Sequence, residues 1–136
     1  MVGVRRKARA VALQALYEID SVGHDIEETL THLLDNVNSP EESVVFVHEL
    51  VNGVIQNREE LDQNIKNFAP AWPVKQIPLI DRNILRLAIF EILLDNKVPV
   101  KVVINEAVEL SKTFGSDNSA RFVNGVLGSI STLANR

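Results

Sequence analysis

The sequence LIDRNILRLAIFEILLD, residues 79–95, decides the fold class of this 136-residue chain. Apolar side chains lie nearly all round the helix that this stretch predicts, which is typical of the buried centre of a helical bundle. Arg82 and Arg86 are four residues apart and share one face of that helix. Because most of the helix should be buried, we expect the two arginines to pair with acids such as Glu106 or Glu109. An exposed binding role is the alternative.

Four helices are predicted before this stretch, because apolar residues recur there at the helical period. They cover about residues 5–21, 26–36, 40–55 and 59–68. Gly23 ends the first helix, while Ser39 caps the third and Pro40 takes its first position. Three prolines make residues 70–78 a connector, in which Trp72 is predicted to pack the two halves of the chain together.

Two further helices are predicted after the central one. The sixth starts at Pro99 and ends near Phe114 and Gly115, and the seventh is capped by Asn118 or Ser119. Short loops imply antiparallel neighbours. The predicted fold is therefore all-α, with about seven helices in two small antiparallel bundles packed as one compact unit. We predict one domain, 1–136, with subdomains of roughly 1–70 and 71–136.

The composition indicates a soluble globular protein, with 46% hydrophobic and 24% charged residues. No apolar run approaches the ~20 residues that a membrane crossing needs, and we expect no targeting segment. The chain has no cysteine, which excludes disulfides, thiolate nucleophiles and cysteine-bound metals. This fits a cytoplasmic protein.

Catalytic motifs are missing from the sequence. His48 and Glu49 resemble the start of a zinc-protease motif, but Asn52 stands where the second histidine would be. There is also no phosphate-binding loop and no Gly-x-Ser-x-Gly elbow. We therefore predict no enzymatic activity, no metal and no cofactor.

The N-terminus is strongly basic although the net charge is −4. Residues 1–9 carry four cations and no acid, while the remaining 127 carry 10 basic and 18 acidic residues, a net of −8. The cations are Arg5, Arg6, Lys7 and Arg9. They oppose the helix dipole, but the free N–H groups of a helix start suit phosphate. The alternative is a solubilising tail.

A helical wheel at about 100° per residue groups Arg6, Lys7, Gln14 and Tyr17 opposite the apolar stripe of the first helix. A tyrosine beside arginines can stack on an unpaired base while the arginines hold phosphate. This pattern predicts a nucleic-acid surface. The alternative is that Tyr17 is buried against a second helix.

A second candidate region lies at the start of the seventh helix. Lys112, Asn118, Ser119 and Arg121 place polar groups and cations near a helix N-terminus, as in the first helix. The alternative is an ordinary capped helix start. Gly125 and Gly128 lie off the apolar stripe of this helix, which suggests either a close partner backbone or tight internal packing.

These segments together resemble the NusB family of transcription antitermination factors. The matching residues are 5–9 with 15–17, 46–53 with Leu61-Asp62, 81–88 with 91–93, 98–107 and 122–127. They occur in the right order over nearly the whole chain. Departures from the family pattern are Gln76-Ile77-Pro78, where a more basic stretch is usual, and Gly128, where an acid is usual.

The resemblance implies a non-catalytic protein of two small helical subdomains that binds the single-stranded boxA element of ribosomal RNA leader transcripts. Its partner would be NusE, a small-subunit ribosomal protein, and both would join RNA polymerase with NusA and NusG. We expect the central and sixth helices to contact NusE. A homodimer is left open. Two alternatives remain: the NusB-like domain of ribosomal RNA methyltransferases, and a helical scaffold that binds only protein.

Overall fold

The computed structural model describes residues 2–35 and 40–134, which form seven α-helices and no β-strand. The helices are α1 Val2–Val22, α2 Ile26–Asp35, α3 Glu41–Gln56, α4 Arg58–Phe68, α5 Leu79–Ile89, α6 Val100–Phe114 and α7 Ser119–Ile130. Short 3-10 turns cover Val74–Gln76 and Ser131–Leu133. The all-α prediction is confirmed. Pro40 and Pro99 precede their helices instead of opening them, and Ser39 lies outside the described residues.

Helix α5 is the centre of the fold, as predicted. It contacts α1, α3, α4, α6 and α7, and residues 83–92 are all buried. The helix continues in the wider π form over Phe90–Asp95. It ends at Asn96, whose left-handed backbone (φ 61°) stops further helical hydrogen bonding.

The buried apolar side chains form one cluster that draws on all seven helices. Helix α4 contacts α5 and α7, across the proline connector. The division into subdomains near residue 70 stays a prediction. Among the described residues, no helix combines the length and apolar character that crossing a membrane requires.

Arg82 and Arg86 pair with Asp20 and Asp62, so the prediction that they bind Glu106 or Glu109 is wrong. Asp20 Oδ2 accepts hydrogen bonds from Arg82 Nε and Arg86 Nη1, each at 2.8 Å. Arg86 also binds both carboxylate oxygens of Asp62, at 2.7 and 3.0 Å. These contacts join α1, α4 and α5.

Asp20 is held in its charged form by this network. Burial alone would raise the pKa of Asp20, but hydrogen bonds from Arg82 and Asn83, together with the positive charge of Arg86, lower it well below its ordinary value. The network therefore needs an ionised Asp20.

Trp72 does not pack the two halves together, which corrects the sequence prediction. Its side chain is 56% exposed, while Ile77 is only 3% exposed and is the apolar anchor of the connector. The prolines on either side, Pro70 and Pro73, are exposed as well. The tryptophan therefore stands on the surface.

Candidate nucleic-acid interface

One face of α1 carries the four side chains that the helical wheel grouped together. Arg6, Lys7, Gln14 and Tyr17 are all exposed, whereas the stripe opposite them is buried in the core. Tyr17 is 38% exposed, so its ring reaches solvent and is not buried against a second helix. Helix α1 starts at Val2, three residues before the predicted start at Arg5.

Arg5 and Arg6 are exposed but make contacts within the protein. The Arg5 guanidinium lies 4.2 Å from the centre of the Phe46 ring, a cation–π distance. Arg6 donates to both carboxylate oxygens of Glu106, at 3.1 and 2.7 Å, yet its side chain is 48% exposed. The hydrogen bond from Arg6 lowers the pKa of Glu106 against the opposing effect of burial. Both arginines are thus held in place with part of their surface open to a ligand.

Arg9 is buried, unlike the other three cations. It is 4% exposed, and its Nε and Nη2 donate to the two carboxylate oxygens of Glu91 at 2.8 and 2.9 Å. Glu91 is itself 1% exposed. The pair ties α1 to the π segment of the central helix, so we remove Arg9 from the predicted surface.

Ser119 is also internal. It is 1% exposed, its Oγ donates to Asp81 Oδ1 at 2.6 Å, and it accepts the backbone N–H of Ser116 at 2.9 Å. These bonds fasten the α6–α7 loop to α5, so Ser119 has a positioning role. Asn118 stands before α7 without a side-chain capping bond, and it is exposed together with Arg121. Lys112 is exposed and donates to Glu109 at 3.2 Å.

A groove of about 300 Å³ joins the two predicted regions. Tyr17 lines it from α1, residues 78–81 line it from the start of α5, and residues 114–116 with Ser119 line it from the α6–α7 loop. The structure therefore brings Tyr17 beside the α6–α7 loop, although Tyr17 and Gly115 are 98 positions apart in the chain. Phe114, which is 47% exposed, adds a second aromatic ring. Sequence analysis had treated Phe114 only as the end of α6.

Lys101 was also missed by sequence analysis. A hollow of about 620 Å³ between the starts of α1 and α6 is lined by Arg5 and Arg6 on one side and Lys101 and Val102 on the other. Lys101 lies in the first turn of a helix, which is the pattern that singled out the cations of α1. The same criterion could therefore have found it.

The comparison with known proteins identifies the family. Residues 6–132 match the model of the NusB family. Over 131 residues the chain is 57% identical to the transcription antitermination protein NusB of Dehalococcoides mccartyi (strain CBDB1), which covers 96% of this chain and 92% of that protein. This chain belongs to the NusB family. The non-catalytic prediction is confirmed by this membership, because the relatives are named as antitermination proteins. They give no support to the methyltransferase alternative.

Solved NusB structures share the fold. T. maritima NusB matches with a TM-score of 0.89 and 30% sequence identity, over 97% of this chain and 93% of that chain. A chain from the crystal structure of the antitermination factors NusB and NusE in complex with dsRNA matches with a TM-score of 0.88 and 25% identity, over 98% of this chain and 99% of that chain.

The two glycines of α7 are part of this NusB surface and not of its core. Gly125 and Gly128 are exposed, and a Cβ built on either would meet no atom within 4 Å. Tight internal packing is therefore excluded as their reason. The alternative, close approach of a partner backbone, stays a prediction.

Proposed function

We propose that this NusB protein binds boxA-type single-stranded RNA in the cytoplasm together with NusE. The complex would join RNA polymerase with NusA and NusG and promote processive transcription. The groove between Tyr17 and the α6–α7 loop carries the proposal, because it brings the exposed ring of Tyr17 on α1 together with Phe114 and the loop that leads into α7. The NusB–NusE complex with dsRNA supports RNA and NusE as ligands of the family.

The exposed residues divide into two roles. Arg5, Arg6, Lys7, Arg121 and Lys112 would contact phosphates, which fixes position without reading sequence. Tyr17 and Phe114 would stack on unpaired bases, while Gln14 and Asn118 offer hydrogen bonds to base edges. Arg9 and Ser119 would act only by holding α1 and the loop in place.

We propose that NusE binds to helix α6. Sequence analysis placed the contact on the central and sixth helices together, but residues 83–92 are buried and offer no surface. Helix α6 keeps an exposed strip with Lys101, Val102 and Asn105, and Val102 is 45% exposed. An exposed apolar side chain beside polar ones fits the composition of a protein interface.

A titration of labelled boxA RNA tests the proposed function. The protein should bind boxA RNA more tightly than a scrambled RNA of equal length, and NusE should tighten that binding by about 5- to 150-fold, the usual range of coupling between two ligands. Fluorescence anisotropy in fixed salt measures both effects. A duplex of the same sequence is the control for strand state. Equal affinity for boxA and scrambled RNA, with or without NusE, would contradict the proposal.

A further inference from the structure

A second cationic hollow lies at the proline connector. This cleft has a volume of about 520 Å³ and is formed by α4, the connector and α5. Trp72 lines it with its side chain 56% exposed, and the basic residues around it are Arg58, Lys66, Lys75, Arg82 and Arg86. Packing of the core does not account for Trp72 at this position, because Ile77 is the connector residue that is buried there.

The lining of the Trp72 cleft is rich in cations, in a protein whose net charge is −4. The lining includes five cations and one acid, Asp62. Three arginines are held by Asp20 and Asp62. Within residues 2–35 and 40–134, no ion pair neutralises Lys66 or Lys75. These two ammonium groups are therefore available to an anionic ligand.

The combination of an aromatic ring with unpaired cations fits single-stranded RNA. Bases stack on exposed aromatic rings while lysines attract the phosphates. An acidic protein would also satisfy the lysines, but single-stranded RNA presents a phosphate and a flat base in every nucleotide, which matches lysines beside an exposed ring.

The Trp72 cleft is next to the groove at Tyr17. Residues 73–75 line the cleft, and residues 78–81 line the groove. Three residues of chain span at most about 11 Å. We propose that the RNA strand continues from the groove into this cleft, where Trp72 stacks on a base that flanks boxA and Lys66 and Lys75 hold its phosphates. This inference rests on the proposed function, because it extends the same strand.

Two RNAs distinguish binding in the cleft from binding in the groove: boxA alone, and boxA extended by six uridines at each end. The parent protein should bind the extended RNA more tightly. Trp72→Ala should weaken binding of the extended RNA by about 5- to 150-fold, the equivalent of one lost stacking contact, and leave boxA alone unaffected. Trp72→Phe should retain part of the gain. Since Trp72 is the only tryptophan, its fluorescence should be quenched by the extended RNA and not by boxA alone.

The lysines give an independent measurement. Lys66→Ala with Lys75→Ala should flatten the salt dependence of extended-RNA binding by about 1.4 in log–log slope, since each single-strand phosphate contact contributes about 0.7. The inference is overturned if the extension adds no affinity, or if polyglutamate quenches Trp72 and the extended RNA does not. In both cases tight binding of boxA alone would leave the proposed function standing. Failure of both RNAs to bind would overturn both.

Discussion

Replacing Glu91 with alanine is expected to lower the free energy of unfolding by about 3–5 kcal/mol. The carboxylate of Glu91 holds Arg9 through two hydrogen bonds of 2.8 and 2.9 Å, and both side chains are at most 5% exposed. The substitution leaves the Arg9 guanidinium buried without its main partner. Glu106 remains nearby, but its Oε1 lies 3.9 Å from Arg9 Nη1, which is too far for a hydrogen bond. Urea denaturation followed by far-UV circular dichroism measures the loss.

The matched control is Glu49→Ala, which removes the exposed partner of Lys97 at 3.4 Å. Exposed pairs contribute about 0–1 kcal/mol, so this variant should unfold almost like the parent. Arg9→Met combined with Glu91→Leu should recover much of the stability, because both charges of the buried pair are then removed. A Glu91→Ala protein as stable as the Glu49→Ala protein would refute a structural role for the buried pair.

Gly53→Ala is expected to destabilise the protein by about 1–3 kcal/mol, although alanine usually favours a helix. A Cβ at position 53 would collide with the ring of Phe90, whose Cε2 atom would lie only 2.8 Å away. The ring is 8% exposed and sits in the core cluster, so it has little room to move. Thermal and urea denaturation measure the change.

Gly128→Ala is the matched control for this prediction. Position 128 is also within a helix, but a Cβ there meets nothing within 4 Å. This variant should be up to about 1 kcal/mol more stable than the parent. Combining Gly53→Ala with Phe90→Leu should relieve the collision and restore part of the loss. If both glycine variants changed stability in the same direction, the collision with Phe90 would not be the cause.

The course of the chain was predictable from its apolar periodicity. The predicted central helix, residues 79–95, matches α5 and its π continuation. A helix that is apolar on all sides is stable in water only where other helices cover it. Trp72 was misplaced since a proline connector has no periodicity from which burial can be read. The structure exposes Trp72 and buries Ile77 in the core instead.

The site was predictable only in part. The helical wheel correctly predicted that Lys7, Gln14 and Tyr17 are exposed, because the face on which a side chain lies is set by its position within one helix. The same wheel places Arg9 about 20° from Leu16 and 40° from Leu13, on the apolar stripe, which indicates burial. Arg9 was nevertheless grouped with the exposed cations because it is basic. Which acid meets which arginine could not be predicted, since Arg9 and Glu91 are 82 residues apart.

The salt dependence of boxA binding tests the proposed RNA surface most directly. The association constant of a short boxA RNA is measured against salt for Lys7→Ala, Arg121→Ala and Tyr17→Ala, each checked for folding by circular dichroism. Lys66→Ala, an exposed cation of α4, is the control. Its contact is expected only with extended RNA.

Each of Lys7→Ala and Arg121→Ala should flatten the log–log slope by about 0.7, the contribution of one phosphate contact with a single strand. Tyr17→Ala should weaken binding by about 1–3 kcal/mol through lost stacking and leave the slope nearly unchanged. Lys66→Ala should change neither quantity. If folded Lys7→Ala and Arg121→Ala proteins bind the short RNA with the affinity and slope of the parent, the strand does not follow this surface.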